Sequence, residues 1–575
     1  TRTASDVTKY FQTVLYEGNG AGQRVGDFQP FTDTFTVAKS ALFNGTNMSL
    51  SRTQEAGTSA GTVWTFSAWI KHCETKNTVF ANWSDDAQQG QLGWDASGNF
   101  YLYDGSTTVG ITTREVLDTS QWSHYHVAYD TGESGTDKVK LTINGVLVTN
   151  WSTDNRSSAN AFQGVGIAGE PMIIGNNASG SGDAISLNGY MAQVVFLDGT
   201  ASAASNFGQT DTSTNRWIPS DLSSFSFGSG NNTVFLDFAD SSNLGDDESG
   251  QGHDFTNNNT VTQTTDSPTS NYAILDTNWN TNSAYTITNG NRTNQGASGR
   301  YANIRTGLTF GNTKTFAMLL IVGGGGATNN TGFSVAPDSY VPSKDNGANT
   351  GVYANIQIYG SVLRVIIGDA KGINGQILAH SIAVADGDYL TVAVDPANGN
   401  IWFGVYDTSA SSHQYLPNTV GGTAGNPSDG TLPTISGVPF NNERSCIQTT
   451  GYGTTSKSTL VLNSSDMPMS LPTDYVEFKQ DNTTDTEQYI SAFSWIKNRD
   501  ATDNHMLFDR VRGVTKDLHS NTTDIEVTNV ETVQQFLAAG VQLGKDVEVN
   551  TINESYVLWN FMMEATGSGS SNTDG

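Results

Sequence analysis

Trp64-Thr65-Phe66-Ser67-Ala68-Trp69-Ile70 alternates apolar side chains with small or polar ones. Trp64, Phe66, Ala68 and Ile70 share one face, Thr65 and Ser67 the other, which is the period of two expected of a half-buried strand. Further runs of the same kind follow, each closed by a turn signal. Trp122 to Asp130 is one, and Lys138 to Ile143 is the next. The latter meets Val146-Leu147-Val148 across Asn144-Gly145. Asn-Gly between two alternating runs predicts a hairpin, because both central positions of a type I′ turn need a positive φ. Many short strands, polar turns and almost no helical pattern predict packed antiparallel sheets.

Composition sets the outer limits. A chain of 575 residues exceeds one hydrophobic core and implies several domains. Aromatic residues at 10% are too frequent for a disordered chain, so real cores are expected. The net charge of −28 leaves no basic stripe to neutralise phosphates, which argues against nucleic acid. It equally disfavours an anionic membrane surface. No run of eighteen apolar residues is present, so no membrane insertion is expected. Two cysteines, Cys73 and Cys446, exclude a disulfide scaffold and any cysteine-based metal site. Assembly in a reducing cytoplasm is compatible with them.

The order of the motifs carries a resemblance. Phe43-Asn44-Gly45, Leu50-Ser51-Arg52-Thr53, Trp64 to Lys71 and Trp122-Ser123-His124 come first. Leu187-Asn188-Gly189-Tyr190-Met191-Ala192, Phe207-Gly208-Gln209-Thr210-Asp211 and Asp266-Ser267-Pro268-Thr269-Ser270-Asn271-Tyr272 follow. This series resembles the concanavalin A-like (laminin-G-like) module of bacteriophage tail and fibre proteins. Tyr389 to Tyr406, with its Asp395 to Asn400 turn, and Gly430-Thr431-Leu432-Pro433 resemble the SPRY-type sandwich that follows it in such proteins. Trp495-Ile496-Lys497-Asn498-Arg499-Asp500 and Phe508-Asp509-Arg510-Val511-Arg512-Gly513 resemble a small C-terminal phage fibre module.

The fold class expected is therefore mainly β: tandem antiparallel β-sandwiches with a small α+β C-terminal domain. Residues 1–36 are expected to form an N-terminal arm or docking segment and 37–275 the lectin-like sandwich. Residues 276–472 should form the SPRY-like sandwich, 473–566 the small module and 567–575 a Gly/Ser-rich flexible tail. Within 473–566, Asn529 reads as the cap of a short helix with Val533, Phe536 and Leu537 on one face and Gly540 as its C-cap.

Retaining glycosidases need two carboxylates about 5–5.5 Å apart. Enzymes of this fold place them on alternate strand residues in a Glu-x-Asp-x-(x)-Glu run, which is absent; Glu526 and Glu531 lie outside the sandwich, with Thr528 where the Asp belongs. The chain is read as no enzyme. His124 and His126 share a strand face and read as structural histidines, with no third ligand for zinc. Gly323 to Gly326 lacks the Gly-Lys-Ser/Thr of a phosphate loop. Asp237, Asp240, Asp246 and Asp247 crowd one loop with Glu248 and Asp254, a candidate set for Ca²⁺. Trp83, Asp85, Asp86, Trp94 and Tyr103 are the candidate sugar site, because stacking rings beside polar groups suit a pyranose.

The resemblance implies a virion structural protein, foremost a tail fibre or receptor-binding appendage contacting host surface glycans or proteins. Other virion proteins would be its partners, and a homo-oligomer, such as a trimer, its state. A head fibre, capsid decoration or tail connector binding only virion proteins is the alternative. A secreted polysaccharide-binding or glycan-degrading protein is the second.

Overall fold

The computed structural model describes residues 35–561 except 84–88, 106, 116–118, 178–184, 212–216, 277–284, 297–300, 312, 324–330, 338–350, 361, 369, 371–376, 441–444, 455, 481–492, 538–539 and 552–553. It also pairs two short strands, Glu17–Gly18 and Gln23–Arg24. The rest of the expected N-terminal arm and the 567–575 tail lie outside the described residues. Among the described residues there is no α-helix.

The first body is a sandwich of two eight-stranded sheets. Val63–His72 lies in the front sheet between Ser123–Asp130 and Asn188–Asp198. The Asn144-Gly145 turn forms as expected, with φ of 49° and 77°, and Ile143 faces Val146 across it. In the back sheet Asn99–Tyr103, Gln89–Trp94 and Asn77–Trp83 run side by side. Trp64, Phe66, Ala68 and Ile70 enter the core between the sheets, where Trp64 stacks on Tyr129 at 4.9 Å. Each fully buried side chain of this size contributes about 1.5–3 kcal/mol by leaving water.

The expectation of a half-buried strand needs correction. Thr65, Ser67, Trp69 and Lys71 on the opposite face are also buried. Later segments of the chain cover that face, and several of its polar groups find partners there or on the neighbouring strand. Thr65 Oγ1 donates to Thr200 O at 2.7 Å, and Ser67 Oγ meets His124 Nε2 at 2.8 Å.

The second body has its own core, beginning at Tyr272 and ending at Phe478. An eight-stranded sheet faces a six-stranded one. Its hairpin runs from Tyr389 paired with Tyr406 to Asp395 paired with Asn400. Asp395 Oδ1 accepts from Asn398 N at 3.2 Å, and Gly399 turns the chain at φ +66°. Leu363, Val365 and Ile367, alternate residues of one strand, point into this core.

The third body corrects the helix expectation. Val533–Leu537 and Gly540–Leu543 form a hairpin, not a capped helix. Asn529 Oδ1 accepts from Glu531 N, a turn contact. Val533 and Phe536 do share the core, but a register shift between Val533 and Gln535 lets a strand deliver both. A five-stranded sheet completes this body, with Phe493–Asn498 between Met506–Asp509 and Tyr556–Phe561.

Asp517 is buried in this third body, 3.4 Å from His519. Burial, helped by Glu548 and Asp546 against the opposing pull of His519 and Arg512, pushes its carboxyl up to about 6. The folded chain thus holds this proton more tightly than an unfolded chain, whose Asp titrates near about 4. Stability from this group is present at low pH and is lost as pH rises through about 6. Melting curves between about pH 4 and 6 should show the loss for the third body, levelling off above about 6, and Asp517→Asn should flatten it. An unchanged slope in that variant would refute the assignment.

Candidate functional site

Of the expected sugar cluster, the structure places Trp94 and Tyr103 away from a ligand-facing surface. Trp94 is fully buried between the sheets, stacked on His72 at 4.7 Å and edge-on to Tyr125 at 4.9 Å. Strand alternation sends it inward with Leu92, so no ring face is left for a ligand. Tyr103 is half-buried, and its hydroxyl donates to Gly105 O at 3.0 Å. Trp83 ends its strand, while Asp85 and Asp86 lie outside the described residues.

The acidic loop is built of turns. Asp247 is buried, and its two oxygens accept from Phe235 N, Ser249 N, Ser249 Oγ and His253 N at 2.8–2.9 Å. Asp240 accepts from Ser242 N and Oγ, and Asp237 from Ala239 N. Asp246 is held above the usual carboxylate range by desolvation and then by Asp254, Asp240, Asp237 and Asp247. Among the described residues, no three His, Cys, Asp or Glu side chains come together to hold a metal ion. Of the expected Ca²⁺ set, the carboxylates of Asp237, Asp240 and Asp247 serve local backbone amides instead.

His124 and His126 are structural, as expected. His124 Nδ1 accepts from Trp217 Nε1 at 3.1 Å while Nε2 meets Ser67, and His126 Nε2 meets Ser202 O at 3.0 Å. Burial and mutual repulsion hold His124 well below the usual imidazole range.

What sequence reasoning missed lies on the covered face of the front sheet. Lys71 is fully buried, and its three N–H donors go to Asp266 Oδ2 at 2.9 Å, Asn271 Oδ1 at 2.7 Å and Tyr272 O at 2.7 Å. The other oxygen of Asp266 accepts from Trp122 Nε1 at 2.8 Å. The exit segment is thus anchored to the central strand by a closed charge network. The signal was Lys71 itself, a cation closing a strand that is otherwise apolar or neutral.

Beside this network the chain leaves a small cleft, about 20 Å³, with room for about one water molecule. Three indoles, Trp69, Trp122 and Trp217, line its lectin-like side. Four amides surround them: Gln121 from the same body, Asn271 from the exit segment, Gln480 from the chain after the second core and Gln535 from the third body's hairpin. Most of these polar groups serve one another. Asn271 Nδ2, for example, donates to Gln121 Oε1 at 3.3 Å and to Gln480 Oε1 at 3.0 Å. Trp69 Nε1 and Gln535 Oε1 are the exceptions, buried with no hydrogen-bond partner among the described residues. Trp69 and Trp122 are 3% and 4% exposed, so their ring faces are packed against the protein.

Two stretches of the chain match family models. Residues 44–205 match the concanavalin A-like lectin/glucanases superfamily. Residues 472–575 match a domain of unknown function (DUF7483). No curated protein matches the chain. Among solved structures, a putative carbohydrate binding protein from Bacteroides ovatus is 17% identical, over 40% of this chain and 60% of its own, with a TM-score of 0.29. Mouse laminin alpha1 chain domains LG4-5 are 9% identical, over 73% and 89%, with a TM-score of 0.25. The SPRY domain of human HERC1 is 14% identical, over 31% and 91%, with a TM-score of 0.20. The fold class rests on the sheets described above and on the family match, not on these scores. The chain is a mainly β protein of antiparallel sheets that carries a concanavalin A-like lectin domain.

Proposed function

We propose that this chain is a non-enzymatic, glycan-binding structural protein, and that it serves as a receptor-binding tail fibre or similar external appendage of a bacteriophage. The observation that carries the binding function is the match of residues 44–205 to the concanavalin A-like lectin/glucanases superfamily on a two-sheet sandwich. The appendage role is supported by the ordered motif series from Phe43-Asn44-Gly45 to Asp266-Ser267-Pro268, which resembles that of phage fibre modules. It is supported too by the buried Lys71–Asp266 junction, since a mechanical appendage benefits from modules that are locked rather than loosely strung. The partners would be other virion proteins at one end and a cell-surface glycan at the other, with a homo-oligomer as the working unit.

Two measurements test this reading. A glycan array probed with the whole chain should give saturable binding without release of reducing sugar. Electron microscopy of particles labelled with an antibody to the chain should place it at the distal end of a tail appendage. Hydrolysis on the array would overturn the non-enzymatic role. Label flush on a capsid, or no glycan bound at all, would overturn receptor binding.

A further inference from the structure

We infer that Lys71 and Asn271 are the reactants of an intramolecular isopeptide bond, with Asp266 as the proton carrier, which ties the exit segment covalently to the central strand. Glycan binding plays no part in it.

Three reactive groups meet where water has little access. Lys71, Asp266 and Asn271 are 0%, 4% and 5% exposed. Lys71 Nζ lies 2.7 Å from Asn271 Oδ1 and 2.9 Å from Asp266 Oδ2. The carboxamide carbon is one C=O bond beyond Oδ1, about 1.2 Å, so it stands within about 4 Å of the amine nitrogen. Attack needs about 3–3.5 Å, which a small side-chain rotation supplies. Two rings of the apolar cluster on this face flank the point. Trp122 Nε1 holds Asp266 Oδ1 at 2.8 Å, and the Tyr190 ring centroid is 5.3 Å from Nζ.

The step balances without any further reactant. Burial brings an ion pair and its neutral form close in energy, because neutralising both groups removes the cost of desolvating them. Lys71 passes one proton to Asp266 and becomes a free amine. Its lone pair attacks Cγ of Asn271; the Nζ–Cγ bond forms and the Cγ–Nδ2 bond breaks. The departing nitrogen takes the proton from Asp266 and a second from Nζ, and leaves as ammonium. Asp266 ends as the carboxylate it began as.

Asn271 is held for this departure. Its Nδ2 donates to Ser120 O at 3.0 Å, Gln121 Oε1 at 3.3 Å and Gln480 Oε1 at 3.0 Å, which fixes the carboxamide with Oδ1 toward Lys71. Asn271, Gln121 and Gln480 also line the small cleft, whose room for about one water molecule equally suits an ammonium ion. The ion pair is the state in which the chain folds, and a chain not yet cross-linked keeps the energetics of a buried salt bridge. Once formed, the bond restricts the unfolded chain as a disulfide does, and no thiol reductant opens it.

The test is mass-spectrometric peptide mapping of the whole folded chain. The chain should be lighter by one ammonia, and digestion should release a branched peptide joining Lys71 to Asn271. A succinimide at an Asn-Gly pair loses the same mass, so the branched peptide decides. Asp266→Asn, which keeps an acceptor for Trp122 but carries no proton, should slow bond formation about a hundredfold or more. If that variant does not fold, Asp266→Glu takes its place: it keeps a carboxyl and should still form the bond, and failure there would remove Asp266 as the carrier. Asn271→Ala keeps the Lys71–Asp266 pair and should fold with Lys71 unmodified. A folded chain without the branched peptide would overturn the inference. So would a branch from Lys71 to Asp266 with loss of water, or equal rates in the parent and Asp266→Asn.

Discussion

Asp266→Ala should destabilise the lectin-like body by about 3–5 kcal/mol, because it strands the ammonium of Lys71 in a place water cannot reach. Lys71 is fully buried, and Asp266 is its only anionic partner in the network. Asn271 Oδ1 and Tyr272 O would still accept from it, but neither neutralises its charge. The same change frees Trp122 Nε1, so a second buried donor loses its acceptor. Chemical unfolding followed by tryptophan fluorescence measures the effect. Replacing both charges, as Lys71→Met with Asp266→Leu, should recover most of the loss, since an apolar pair of similar volume avoids desolvating the ions. A single-mutant cost below about 1 kcal/mol would mean that water reaches the pair, which would then behave as a surface salt bridge.

Trp94→Ala has an expected cost of similar size, about 3–5 kcal/mol, for a different reason. Here the loss is of packing. The indole fills the space between His72, Phe100 and Tyr125, and its removal leaves a cavity those rings cannot close without moving. The same variant separates the two roles open to this residue. A ligand platform would lose glycan affinity and keep its stability; a core side chain loses stability, and the fraction that remains folded binds as before. Denaturant unfolding alongside glycan titration of the same sample gives both readings, and a stable, non-binding variant would restore Trp94 to the site.

These two residues also show how far the sequence could be read. Alternation from Trp64 to Ile70 was sufficient to place a strand, because a period of two has no other common source. The same alternation could not say what lay over Thr65, Ser67 and Trp69. That depends on Asp198 to Ser220 and Thr262 to Leu275, segments whose positions no local pattern encodes. Trp94 was misjudged for a related reason: an aromatic on a strand reads the same whether its face is closed by a second sheet or left open. In sequence the hairpin at Val533 reads as a helix, because Val533, Phe536 and Leu537 recur at helical spacing. A register shift in a strand imitates that spacing. The acidic loop was legible as a loop, while the use of its carboxylates was not. Asp247 and Asp240 each sit two residues before a Ser whose amide they accept, a local turn habit of Asp that composition alone cannot tell from ion binding.

Lys71 and Asp266 stand 195 residues apart. During synthesis at about 5–20 residues per second, the lysine therefore leaves the ribosome some ~10–40 s before its counter-ion does. The edge strand Thr262–Thr264, which pairs with Ser40–Asn44, arrives equally late. Until then the front sheet has an unpaired edge and an ammonium that must stay hydrated, so the sandwich cannot close around it. The junction that ties this body to the next is thus also the step that finishes its folding. Truncation before Asp266 should leave a nascent chain that is collapsed yet prone to associate through that edge, however complete its central strands are.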